Sequence, residues 1–191
     1  QITNEQIRAT TSQIVERNFK RSPPLFREKE TDRICSSLLH WIEFEATRAP
    51  FKILGLEKPY RVSFGTLEFS IRADRIDETE EGPILIDYKT GKANLSKARA
   101  SNLKDPQLAI YSLAAKEILG AFYAQIGGGT ARFSGIADHL IQIESKPSVV
   151  LESWENEKLE WRKQIEAAAS DFSQGLAEIN PSPDYCQYCH L

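Results

Sequence analysis

The stretch Ile84-Leu85-Ile86-Asp87-Tyr88-Lys89, closed by Thr90-Gly91, decides how this sequence folds. It is a short apolar run that ends in charge, the composition of a buried central strand. Just upstream, residues 67–77 alternate. Leu67, Phe69, Ile71 and Ala73 share one face, and Glu68, Ser70, Arg72 and Asp74 share the other. Along 84–89 the same rule sends Leu85, Asp87 and Lys89 one way and Ile84, Ile86 and Tyr88 the other. If the two strands are neighbours, Asp74 and Asp87 face each other across about 5 Å. Carboxylates that close repel, so one is protonated or a cation sits between them. Their hard oxygens form an incomplete cage that suits Mg²⁺ or Mn²⁺, ions that keep waters and bind substrate phosphate. Lys89 beside such an ion would position or deprotonate a water, or stabilise charge on a phosphate. Asp74, Asp87 and Lys89 therefore form a candidate phosphodiester-hydrolysing centre. The alternative is a surface ion pair between Lys89 and either acid.

Outward from these strands, Ile2, Ile7, Ile14, Val15 and Phe19 predict a helix to about residue 20, with Thr3-Asn4 as caps. A second helix runs from Leu25-Phe26 to Arg48 and stops before Pro50. Segments 51–57, 59–65 and 67–77 read as a β-meander. Asp105-Pro106 caps a third helix whose buried stripe is Leu108, Tyr111, Leu113, Ala114, Ile118 and Leu119. Residues 121–126 and 131–143 form a hairpin around Gly127-Gly128-Gly129, and a last helix covers 151–179. The order predicts one mixed α/β domain with helices flanking a sheet. Residues 1–50 form a helical segment packed on a core at 51–179, and 180–191 form an irregular tail.

The chain has 191 residues, with 24 basic against 27 acidic side chains and a net charge of −3. Nothing approaches the roughly 20 uninterrupted apolar residues of a membrane span. No secretory leader opens the sequence, so no membrane partner and a cytoplasmic setting are expected. Three cysteines give no disulfide framework. The acidic balance excludes a bulk basic surface, so nucleic-acid contact must come from a local patch. Arg72, Arg75, Lys92, Lys97, Arg99 and Lys104 surround the proposed centre. Lys97, Arg99 and Lys104, on the connection after the 84–89 strand, are the preferred phosphate contacts. The chain begins at Gln1 and contains no methionine, which suggests a piece of a longer polypeptide.

Three motifs carry a resemblance. Arg72-Ala73-Asp74-Arg75-Ile76-Asp77, Ile86-Asp87-Tyr88-Lys89-Thr90-Gly91 and Asp105-Pro106-Gln107-Leu108-Ala109-Ile110-Tyr111 together resemble the RecB-like branch of the PD-(D/E)XK nucleases. The likeness is close to the bacterial family labelled probable DNA repair protein, with an AddB/RecB-type nuclease domain. Weaker matches reach Trp41-Ile42-Glu43-Phe44-Glu45, Arg48-Ala49-Pro50-Phe51, Glu57 and Phe133-Ser134-Gly135-Ile136.

The resemblance implies a restriction-endonuclease-like α/β fold, a mixed central sheet flanked by helices. It implies that Asp74 and Asp87 ligate Mg²⁺ or Mn²⁺ together with the carbonyl of Tyr88, and that Lys89 is the catalytic lysine. Gln107 and Tyr111, one helical turn apart, would line the DNA path, and Glu57 would act behind the ligands. The implied function is an exonuclease-like module of DNA repair or recombination, with DNA as partner and a helicase-like region or partner subunit in the parent protein. A catalytically silent DNA-binding or scaffolding module is the alternative.

Two departures stand out. The family's histidine helix has no match here, and His40 beside Trp41 lies outside such a motif. Cys186-Gln187-Tyr188-Cys189-His190 fits the spacing for covalent haem attachment and also resembles the end of the family's iron–sulfur cysteine set. Cys186 and Cys189 alone leave a four-cysteine cluster incomplete, so a cluster is expected only in a full-length parent. The tail is then expected without metal, an interchain Zn²⁺ being the remoter option. An electron-transfer protein is a third, weaker function.

Overall fold

Thr3 caps helix α1 (Asn4–Asn18): its hydroxyl accepts from the Gln6 amide, and the Gln6 side chain accepts from the Thr3 amide. Helix α2 (Pro24–Glu45) begins on a proline, where a missing N–H leaves no helical bond unmade. Ion pairs Arg8–Asp32 at 2.7 Å and Arg27–Glu16 at 2.8 Å join the two helices in antiparallel order. This computed structural model describes residues 3–127, 129–138, 141, 149–151 and 153–176. The tail, with Cys186, Cys189 and their expected lack of metal, lies outside the described residues.

Strands β1 (Lys52–Phe64), β2 (Leu67–Glu78), β3 (Pro83–Lys89), β4 (Gly120–Gly127), β5 (Thr130–Asp138) and β6 (Val149–Leu151) form one sheet in chain order. β1–β2, β2–β3 and β4–β5 are antiparallel, whereas β3–β4 and β5–β6 are parallel. A parallel pair needs a crossover. Between β3 and β4 it holds two short 3-10 turns, Leu95–Lys97 and Ala100–Asn102, and helix α3 (Gln107–Ala114). Helix α4 (Trp154–Ser173) follows β6, capped by Ser153.

Several expectations are corrected. The segments 51–57 and 59–65 are one strand, because β1 is an edge strand and Pro59 opposite Arg72 can lack an N–H there. Helix α3 is capped by Pro106, without a side-chain bond, because the Asp105 carboxylate bonds Tyr123 and the Gln107 amide instead. It ends at Ala114, short of Ile118 and Leu119, and Leu119 donates its amide to the Pro83 carbonyl at 2.7 Å. Leu151, the expected start of the last helix, ends strand Val149–Leu151, and the helix begins at Trp154.

β3 is covered on both faces, as its composition demands. Ile84 and Ile86 pack with Trp41 of α2, Phe122 and Phe133. Leu85 packs on the other side with Ile76, Leu108, Leu113, Trp154 and Trp161. Each large side chain so buried contributes roughly 1.5–3 kcal/mol. Gly135 is dictated by contact: a Cβ there would lie 2.1 Å from Phe122 Cδ1 and 2.6 Å from the Ala121 carbonyl. The indoles also fasten α4. Trp154 Nε1 donates to Ile118 O at 2.7 Å, and Trp161 Nε1 donates to Ala98 O at 2.9 Å.

Candidate active site

The β2–β3 register pairs Arg75 with Ile86 and Ile76 with Leu85. One further step brings Asp74 to Asp87, on the face that carries α3. Asp74 Oδ2 accepts the amide hydrogen of Tyr88 at 2.9 Å, so this acid grips the neighbouring strand beside Asp87. Asp87 is buried, and its Oδ1 accepts from Gln107 Nε2 at 2.8 Å. Its Oδ2 lies 2.8 Å from Lys89 Nζ, a close ion pair outside hydrogen-bond geometry. That oxygen is the one buried side-chain polar atom without a hydrogen bond among the described residues. Lys89 Nζ instead donates to Gln107 Oε1, and Gln107 Nε2 also reaches the Tyr111 hydroxyl at 3.3 Å. The glutamine amide thus joins the acid, the lysine and the tyrosine from the first turn of α3.

Burial pushes the Asp87 carboxyl above the usual carboxylate range. Lys89 opposes the shift, and the negative charges of Asp74 and Asp105 add to it. Tyr123 lies opposite Asp87 across the β3–β4 pair, fully buried, and its hydroxyl donates to Asp105 Oδ2 at 3.1 Å. Burial, with Asp105 next, drives this phenol far up, so it stays neutral. Its ring lies 5.4 Å from Lys89 Nζ, near enough for a cation–π attraction. Asp105 and Tyr123 are site residues that the sequence did not reveal. The first resembles a helix cap, and the second sits inside an apolar strand.

Behind β3, on the α2 side, lies a second polar cluster. Arg75 donates twice to Asp77, from Nε at 2.6 Å and Nη2 at 2.8 Å, and from Nη1 to Glu45 at 2.8 Å and to the Tyr88 hydroxyl at 2.9 Å. Arg48 adds bonds to Glu45 at 2.6 Å and Asp77 at 3.0 Å. Burial alone would lower the Arg75 guanidinium, but the bonds to Asp77, Glu45 and Tyr88 outweigh it and hold it above the ordinary range. Arg75 is 5% exposed, which removes it from the expected phosphate contacts. Tyr88 is consequently fixed from both faces of the sheet, its amide by Asp74 and its hydroxyl by Arg75.

The sequence matches the family described as the PD-(D/E)XK nuclease superfamily over residues 2–191. The chain belongs to that superfamily. Its sheet is consistent with the superfamily's restriction-endonuclease-like fold. A solved structure described as "Crystal structure of SSO0001" is similar to it with a TM-score of 0.40 and 16% identity, over 96% of this chain and 81% of that one. No curated protein matches the chain.

PD-(D/E)XK nucleases generally use divalent metals, and the donor set here fits one. Asp87 Oδ2 is shielded and held 2.8 Å from the Lys89 ammonium, and Asp74 projects from the paired strand beside it. Among the described residues no cluster of three or more His, Cys, Asp or Glu side chains forms a closed metal cage.

The remaining expected contacts separate by position. Lys97 and Lys104 line a cleft with Lys89. Arg99 turns to α4, where Glu157 Oε1 accepts from its Nε at 3.0 Å. Glu57 lies on β1 in the stretch facing Asp74, paired with Arg72 at 2.6 Å. It is the one non-glycine residue with positive φ among the described residues, at 49°. Such backbone strain gathers at functional positions.

Proposed function

We propose that this chain is a divalent-metal-dependent DNA nuclease module of the RecB-like branch, exonuclease-like, acting in repair or recombination within a cytoplasmic parent protein that brings a helicase-like region or partner subunit. The observation that carries the reading is the meeting of Asp74, Asp87, Lys89 and Gln107 at one point on the sheet. Asp74, Asp87 and the Tyr88 carbonyl would hold the ion, which supplies a Lewis acid for the phosphate and lowers the pKa of a bound water. Lys89, drawn to Asp87 and Gln107, orients the attacking water and offsets charge on the phosphate. Gln107 fixes the Lys89 ammonium, and Tyr111 extends that polar line along α3 beside the strand path. Lys97 and Lys104 meet the DNA backbone. Glu57 supports the Asp74 strand from β1.

The test is cleavage of labelled single- and double-stranded DNA in Mg²⁺ or Mn²⁺, beside EDTA, Asp87→Ala and Lys89→Ala. Metal-dependent cutting by the wild type that both variants lose is the expected result. Equal activity in wild type and variants would contradict the nuclease reading and leave a silent DNA-binding scaffold.

A further inference from the structure

The β2–β3 ladder ends at Arg75 opposite Ile86, whereas β3 stays paired with β4 as far as Lys89 opposite Gln125. On the β2 side, Asp87, Tyr88 and Lys89 therefore lie beyond the last paired residues. Two side chains bridge that gap, and they come from adjacent positions of β2. Asp74 accepts the Tyr88 amide at 2.9 Å on one face, and Arg75 Nη1 donates to the Tyr88 hydroxyl at 2.9 Å on the other. Tyr88 sits between Asp87 and Lys89 in the strand, so whatever fixes its amide and ring also fixes the two charged side chains that leave the opposite face.

Arg75 is itself held rigidly. The two oxygens of the fully buried Asp77 take its Nε and Nη2, which leaves Nη1 aimed at Glu45 and Tyr88. A planar guanidinium gripped by its fork has a set direction. Glu45 is the last residue of α2, and it gives Oε2 to Arg75 and Oε1 to Arg48. One helical turn earlier, Trp41 meets the Tyr88 ring edge-on, with the centroids 5.8 Å apart. Helix α2 thus reaches Tyr88 twice, once by a ring contact and once through Arg75. The buried cluster lies across the sheet from the carboxylate pair, and Tyr88 belongs to both.

We infer that Glu45 and Arg75 are positioning residues: acting through the Tyr88 hydroxyl, they set the separation of the β2 and β3 ends that carry Asp74 and Asp87, and with it the affinity of that pair for a hard dication. The inference rests on the proposed reading for the ion alone; DNA and its hydrolysis do not enter it. Changing groups that hold metal ligands from behind typically costs about 10- to 100-fold in metal affinity.

The experiment titrates the full chain with Mn²⁺ and reads the free ion by electron paramagnetic resonance. Binding that Asp87→Ala loses defines the site. Wild type is compared with Tyr88→Phe, which removes one oxygen, with Glu45→Gln and Glu45→Ala, and with Tyr88→Phe/Glu45→Ala. Urea midpoints establish that each is folded, and if Glu45→Ala melts early, Tyr88→Phe and Glu45→Gln carry the test. Tyr88→Phe should weaken Mn²⁺ binding about tenfold, and Glu45→Ala should weaken it in the same direction. Glu45→Gln keeps an acceptor for Arg75 and should stay within about twofold of wild type. The double variant should bind no more weakly than Tyr88→Phe, because both changes act through one hydroxyl. Unchanged Mn²⁺ affinity in folded Tyr88→Phe would overturn the inference, whatever the loss of stability, and so would additive losses in the double variant. DNA cleavage is followed separately. A weakened Tyr88→Phe site in a protein that cuts no DNA supports the positioning role and contradicts the nuclease reading. Cutting with unchanged Mn²⁺ affinity does the opposite, and a wild type that binds no Mn²⁺ at this pair overturns both.

Discussion

Gln107 donates its Nε2–H to Asp87 Oδ1 across 2.8 Å, and its Oε1 receives the Lys89 ammonium. One planar amide therefore fixes the separation of the carboxylate and the ammonium, from a helix turn that the β3–β4 crossover delivers to the strand. Gln107→Ala removes both contacts while leaving the Asp74 and Asp87 carboxylates in place. The expected outcome is a cleavage rate lower by roughly 10- to 100-fold, the range for groups that orient metal ligands. DNA affinity should change little. Single-turnover kinetics beside anisotropy in Ca²⁺ checks the separation.

The Tyr123–Asp105 bond ties β4 to the start of α3, two residues before Gln107. Tyr123→Phe keeps the ring under Lys89 and leaves the Asp105 carboxylate without that donor. We expect a stability loss of about 1–2 kcal/mol, read from the urea midpoint, together with a lower kcat and an unchanged KM for DNA. An unaltered kcat would mean that α3 is held by its apolar packing alone.

Arg75→Met takes two bonds from the fully buried Asp77, which keeps its bond from Arg48, and removes the donor to Glu45 and Tyr88. Breaking one partner of a buried ionic cluster typically costs about 3–5 kcal/mol. Guanidinium unfolding should show a loss of that order. Arg75→Met/Asp77→Leu, which removes both charges, should recover part of it. A double variant as unstable as the single one would place the loss in packing against Phe51, whose ring centroid lies 4.9 Å from the Arg75 guanidinium carbon.

Without metal, the raised Asp87 carboxyl gives stability a slope with pH. The folded state holds its proton more tightly than the unfolded chain. Stability linked to this group is therefore complete below the ordinary carboxylate range and is lost as pH rises through the raised value. Asp87→Asn abolishes that loss, so in EDTA at neutral pH the variant should be more stable by about 1 kcal/mol. The two proteins should converge at acid pH. Chemical unfolding across the pH range gives the comparison.

The β3 strand and its two-sided burial were legible because Ile84–Lys89 combines β-branched apolar residues with a charged end. Helical spacing places Gln107 and Tyr111 on one face, and the family resemblance is what singled them out. Pro59 misled because a proline inside a β pattern signals a break unless the strand lies at an edge, and sheet order is not written locally. Asp105 resembles a cap, and only the fold shows Tyr123 competing for its oxygen. Arg75 resembles its basic neighbours until Glu45, some 30 residues upstream, is brought against it. β6, at three residues, is too short for any period to register.

The central claim is that β2 and β3 bring Asp74 and Asp87 together as a site for one hard dication. Anomalous diffraction from crystals soaked in Mn²⁺ tests it directly. A single peak within coordination distance of both carboxylates, absent in Asp87→Ala, is the predicted result. Mn²⁺ bound elsewhere, or bound equally in wild type and variant, would contradict the account.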